Sequence, residues 1–325
     1  MSTCDRISSI GSVQPPLPSS MSKTHDSASS SKDVMYFFIL NVASAFMLSA
    51  AHNVLYFVLD IRAPVIHFLH HFTAFCFMFF ISKIGCIPRA ALPLKPFATP
   101  VGLKVLEVLL SSIVHSGNRT GGLYVVRIFD FLFTLTVIVV GKRYLPSRAD
   151  GKPKAGLLLI LGAACSLSWL EWGQMEYTTF SMFCAPLLAI VRGLTVLSVQ
   201  KTHIELQTGH TELFCYYYTG LVSCSLLVPA FVSYSSSHVQ VTASWESIDY
   251  TLMCLSFMFM SCYCYSELWL LLQINIRAYA TLEHSKFLLA SIGQWIIQNM
   301  AHPNILALGG KIVAAACLFR IASSL

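Results

Sequence analysis

Five basic residues lie inside apolar stretches of this chain: Lys104, Arg127, Arg192, Lys286 and Lys311. Where such a stretch crosses a bilayer, a charge near its centre costs about 3 kcal/mol or more, so each must face a bundle interior or a watery cavity and find a partner. Helical spacing supplies partners for three of them. Lys104 has Glu107 at i+3, Arg127 has Asp130 at i+3 and Lys286 has Glu283 at i−3, each pair on one helical face. Arg127 with Asp130, and Glu283 with Lys286, are read as structural ion pairs. Arg192 and Lys311 have no acid three or four residues away on either side, so their charges have to be met by another helix or by a bound anion. Two accounts stay open at this point. In one, Arg192 bonds to backbone carbonyls while Lys311 snorkels or pairs with Glu267; in the other, both cations join Lys286 around a cavity for phosphate or pyrophosphate.

Aromatic hydroxyls gather in the second half, at Tyr216, Tyr217, Tyr218, Tyr263, Tyr265 and Tyr279. Their rings can stack on a nucleobase or a sugar face, and equally can pack or anchor at the membrane interface. Three consecutive tyrosines on a helix point about 100° apart, so at most two of Tyr216 to Tyr218 share a cavity. His67, His70 and His71 have spacings that could bring two imidazoles to one metal, but no acid or cysteine joins them at a helical offset, and no metal is assigned. No G-x-S-x-G, H-E-x-x-H or P-loop pattern occurs, so neither a catalytic residue nor a cofactor is assigned, and the chain is not read as an enzyme.

The elements that must carry these side chains follow from composition. Of 325 residues, 55% are apolar and only 11% charged, with a mean hydropathy of +0.66. A soluble domain runs about 25% charged, so this chain lacks the ionic groups to clothe a water-facing surface, and the lipid bilayer is its medium. That excludes a dinucleotide-binding enzyme, a nucleic-acid partner and a disulfide scaffold; the 11 cysteines are scattered, mostly inside apolar runs. Residues 1–33 are Ser-rich with Pro15, Pro16 and Pro18 and are read as a disordered cytosolic tail without a signal-peptide core. Apolar stretches then fall at Val34–Leu59, Pro64–Ile84, Phe97–His115, Leu123–Val140 and Ala155–Leu170, and at Tyr177–Val199, Glu212–Tyr234, Tyr250–Ile274, Ala278–Met300 and Asn304–Leu325.

The expectation is an all-α polytopic membrane protein. Ten transmembrane helices fill 34–325, as halves 34–170 and 177–325 of a 5+5 inverted repeat with its substrate site at the midplane. Taking the amino terminus as cytosolic puts 14 Lys and Arg in the cytosolic tail and loops and only Arg62 and Arg119 on the other side, so both termini are expected in the cytosol. The sequon Asn118-Arg119-Thr120 then faces the lumen.

Several runs bear on a family. Val191-Arg192-Gly193-Leu194 through Lys201, Cys215-Tyr216-Tyr217-Tyr218-Thr219-Gly220, Ala280-Thr281-Leu282-Glu283-His284-Ser285-Lys286 and Gly309-Gly310-Lys311-Ile312-Val313 resemble the nucleotide-sugar transporters of the drug/metabolite transporter superfamily. Phe133-Thr134 and Leu161-Gly162-Ala163 add to the likeness in the first half. The GDP-mannose branch carries Phe-Tyr-Asn-Asn and Gly-Ala-Leu-Asn-Lys in its seventh and ninth helices; this chain keeps a tyrosine and Lys286 but lacks the asparagines. The resemblance implies a ten-helix antiporter of the Golgi membrane, or alternatively of the endoplasmic reticulum membrane. It would exchange cytosolic nucleotide sugar for lumenal nucleoside monophosphate, with a homodimer left open. On that basis Lys286 and Arg192 are expected at the phosphates, Tyr217 or Tyr218 at the base or sugar, and Lys311 as a supporting charge. A phosphorylated-metabolite translocator of the triose-phosphate type, or a transport-inactive interaction protein of the same fold, are the alternatives.

Overall fold

The computed structural model of the chain describes residues 31–57, 63–88, 90–116, 129–144, 155–168, 179–207, 210–235, 246–276, 278–280, 282–283, 286 and 305–323. Among these, helix dominates and no strand occurs. The helices are α1 (Ser31–Phe57), α2 (Ala63–Ile84), α3 (Ala98–Ser116, entered through a 3-10 turn at Lys95–Phe97), α4 (Asp130–Tyr144), α5 (Ala155–Ser168), α6 (Thr179–Leu206), α7 (Thr211–Ser235), α8 (Ser247–Gln273) and α10 (Ile305–Ser323). The helical residues described between 276 and 286 are designated α9. Five helical stretches, Ala63–Ile84, Lys95–Val114, Phe183–Leu206, Thr211–Ser235 and Ser247–Gln273, are each long and apolar enough to cross a membrane. Their outward faces carry large apolar side chains, among them Phe80, Phe183 and Phe231, each more than half exposed. Lipid is the medium that accepts such a surface.

Where the helices end differs from the hydropathy reading in ways the side chains explain. Helix α1 begins at Ser31, ahead of the expected Val34, with Asp33 in its first turn, where a carboxylate favours the exposed N–H groups. Helix α6 continues past the expected end at Val199 to Leu206. Its polar extension is held by Lys201–Glu205 at 3.5 Å and by the Thr202 hydroxyl, which donates to the Pro96 carbonyl at 3.3 Å. Helix α2 stops at Gly85, whose φ of 93° places it in the left-handed region that closes a helix; the Cys86 and Gly85 N–H groups donate back to the carbonyls of Ile81 and Ser82. Helices α6 and α7 each contain an internal proline, Pro186 and Pro229.

Most of the main packing contacts join the two halves of the sequence. Helix α3 packs on α6, α1 on α8, α2 on α7 and α5 on α10, with further contacts of α4 on α6, α2 on α8 and α3 on α7. The largest buried apolar cluster runs through α3, α6, α7 and α8, with Phe97 and Phe214 fully buried 5.1 Å apart. Helices approach closely where a side chain is missing. A Cβ on Gly220 of α7 would lie 2.8 Å from the Phe75 ring of α2, and one on Gly193 of α6 would lie 3.0 Å from Thr136 and 3.2 Å from the Phe133 carbonyl of α4. Small residues at helix contacts are how membrane bundles gain dispersion without a hydrophobic drive.

Candidate functional site

The buried cations converge from three helices. Helix α9 presents Glu283 and Lys286 one turn apart, so both reach the same side. Glu283 is 3% exposed and bridges two cations: Oε2 accepts from Arg192 Nη2 of α6 at 2.7 Å, while Oε1 accepts from Lys286 Nζ. Lys286 also donates to Tyr263 Oη of α8 at 3.1 Å and to Asn41 Oδ1 of α1 at 3.2 Å, and its ammonium lies 4.7 Å from the centre of the Tyr263 ring. Three donors thus meet three acceptors, which is what a buried ammonium requires. Asn41 is fixed in turn by donating to Ser266 Oγ at 3.0 Å. The Arg192 guanidinium sits 5.7 Å from the Phe133 ring of α4.

A second set of polar groups adjoins the first. Tyr263 Oη, which accepts from Lys286, donates onward to Glu267 Oε1 at 3.1 Å, and Tyr279 Oη donates to the same oxygen at 3.3 Å. Lys104 and Glu107 of α3 pair at 2.9 Å. Arg192, Lys104, Glu107, Glu267, Tyr218 and Tyr279 line one cavity with His71 of α2, and its free volume is about 40 Å³, room for a few water molecules. Three cations and three carboxylates make this assembly neutral when all are ionised.

The residues anticipated from sequence divide accordingly. Arg192 and Tyr218 share the cavity wall. Lys286 is 3% exposed, stands outside that wall and is engaged by protein groups. Tyr217 points elsewhere: its hydroxyl donates to the Ala90 carbonyl at 3.2 Å, in the connection between α2 and α3. Lys311 lies on α10, and its side chain is outside the described residues, as are Arg127 and the side chain of Asp130. Glu283 pairs with Lys286 as the spacing predicts and also with Arg192, 91 residues away in sequence, which answers the charge that had no acid on its own helix. The Arg192 guanidinium thus meets a carboxylate of another helix, and Glu267 accepts from two tyrosines. The histidines face different partners, His70 bonding Ser256 Oγ at 3.0 Å and His71 Nδ1 lying 3.9 Å from Cys264 Sγ. Asn41 and Glu267 had no site role assigned; an amide or a carboxylate inside an apolar helix is the signal that marks them. No family model matches this chain, and no curated protein sequence matches it.

Proposed function

We propose that the chain is a membrane transporter that exchanges a nucleotide sugar for a nucleoside monophosphate across the Golgi membrane. The observation that carries this reading is the carboxylate of Glu283 held between Arg192 and Lys286 beside a polar cavity. Two cations around one carboxylate have the charge and the spacing to take two phosphate oxygens. A phosphate entering from the cavity would compete with Glu283 first at Arg192, which lines the wall, and then at Lys286 behind it. Because the cavity now holds only about 40 Å³, substrate entry requires the helices around it to part, as in alternating access.

The helix contacts support a 5+5 inverted repeat. If each helix of the first half corresponds to the one five places later, the α3–α6 contact maps onto α8–α1, α2–α8 onto α7–α3 and α2–α3 onto α7–α8; each of these contacts is present. The α2–α7 and α5–α10 contacts map onto themselves. Ten membrane helices with both termini in the cytosol complete the proposal, on the distribution of Lys and Arg.

The test is counterflow in proteoliposomes. Uptake of a labelled nucleotide sugar should accelerate when the vesicles are preloaded with UMP or GMP. Acceleration by inorganic phosphate with triose phosphate as the solute would replace this reading by a phosphorylated-metabolite translocator. Folded protein that is silent against a broad panel of both classes would refute transport.

A further inference from the structure

A groove opens between α3 and α7, apart from the charged cluster. Its free volume is about 400 Å³, against about 40 Å³ for the polar cavity. Sites that hold a small organic molecule begin at roughly 300 Å³. Leu94, Ala98, Val101 and Val105 recur at four-, three- and four-residue steps along α3 and the turn that enters it, so they share one face, and Leu221 and Ser225 complete the groove from α7. Among the lining residues only Ser225 carries a polar side chain. Gly102 leaves the groove open at its middle, since a Cβ there would meet nothing within 4 Å, and both Ala98 and Gly102 are exposed. From Ala98 to Val105 the groove follows α3 for about 10 Å.

The end of the groove at Leu94 carries charge of one sign. Lys95 follows Leu94 directly, is exposed and makes no ion pair among the described residues. Lys83, also exposed, closes α2 at the start of the same connection, and Arg89 lies between them in sequence. No Asp or Glu occurs from Ile61 to Leu106 to offset these three cations. An apolar groove that ends at an unneutralised basic segment is complementary to a molecule with a hydrocarbon chain and an anionic head.

We propose that the groove holds one acyl chain of an anionic phospholipid whose phosphate meets Lys95. The chain covers Ala98 and Gly102, and the ammonium answers the headgroup as a point charge. In the orientation proposed above, the α2–α3 connection faces the cytosol, the side on which anionic lipids are concentrated. A chain seated there bridges α3 and α7, which carry Lys104, Glu107 and Tyr218 to the wall of the polar cavity. The site needs only the membrane reading of the chain and is independent of any transported solute.

The test is the thermal midpoint of the delipidated full chain in detergent, titrated with phosphatidylserine or with phosphatidylcholine of the same acyl chains. Phosphatidylserine at about a hundredfold over half-saturation should raise the midpoint by about 5 °C more than phosphatidylcholine does. Gly102→Leu, which fills the groove, should abolish that difference; Ala98→Leu, at an exposed position, serves the same purpose if Gly102→Leu does not fold. Lys95→Gln should reduce the phosphatidylserine shift to that of phosphatidylcholine and leave the latter unchanged. Equal shifts for the two lipids in the wild type, or a phosphatidylserine shift that survives either the groove-filling substitution or Lys95→Gln, would overturn the proposal. So would glycerophosphoserine, a headgroup without chains, reproducing the full shift, since the groove would then contribute nothing.

Discussion

Glu283→Gln is the most informative single perturbation, because one carboxylate serves two buried cations. In the native arrangement the side chains of Glu283 and Lys286 are at most 4% exposed and that of Arg192 is 16% exposed, so solvent screens these pairs weakly. Replacing the carboxylate by an amide of the same shape leaves two like charges near each other with no anion between them. Removing one partner of a buried pair costs about 3–5 kcal/mol, and here both pairs go together. At roughly 2–4 °C per kcal/mol, the thermal midpoint in detergent should fall by about 10 °C. Lys286→Met should cost less, since Arg192 keeps Glu283. Adding Lys286→Met to Glu283→Gln should recover part of the loss, a coupling of about 0.5–3 kcal/mol between residues in one network. Pyrophosphate should raise the midpoint of Glu283→Gln by more than that of the wild type, because an added anion meets two cations that Glu283 no longer neutralises. Strict additivity of the two substitutions, or a wild-type midpoint in Glu283→Gln, would refute the bridging role of Glu283.

Other outcomes follow from packing and topology. Gly193→Val should destabilise by about 1–3 kcal/mol, read as a lower denaturation midpoint, since its Cβ would meet Thr136 and the Phe133 backbone. Gly102→Ala, with nothing within 4 Å of the added carbon, should instead be neutral or gain up to about 1 kcal/mol from helix propensity. Phe214→Ala should cost about 3–5 kcal/mol in the same assay, because the ring is fully buried against Phe97 and Tyr218. Tags at either end should be accessible after selective plasma-membrane permeabilisation, and protection of one terminus alone would rule out an even number of spans.

Local features of this protein were legible in the sequence, and distant ones were not. The ion pairs Lys104–Glu107 and Glu283–Lys286 follow from three-residue spacing, which a helix converts directly into contact. Apolar runs located α2, α3, α7 and α8 to within a few residues, because a span is defined by its own composition. The Arg192–Glu283 pair joins positions 91 residues apart, and no periodicity encodes which two helices pack. For the same reason nothing local connects Asn41 with Lys286, 245 residues away. Tyr217 and Tyr218 are adjacent and chemically identical, so only the rotation of α7 decides that one faces the cavity while the other ties down the α2–α3 connection.

Proline 186 gives the charge cluster a mechanical handle. It cannot donate to the carbonyl of Met182, so α6 has a soft joint there, six residues before Arg192. At 1.5 Å per residue the lever from joint to guanidinium-bearing turn is about 9 Å, and a 20° bend swings that turn by about 3 Å. A swing of that size directed away from α9 would stretch the 2.7 Å Arg192–Glu283 contact well beyond hydrogen-bond range. Pro186→Ala restores the missing N–H donor and should stiffen α6, read as slower amide hydrogen exchange between Met182 and Arg192, while leaving the Arg192–Glu283 pair intact.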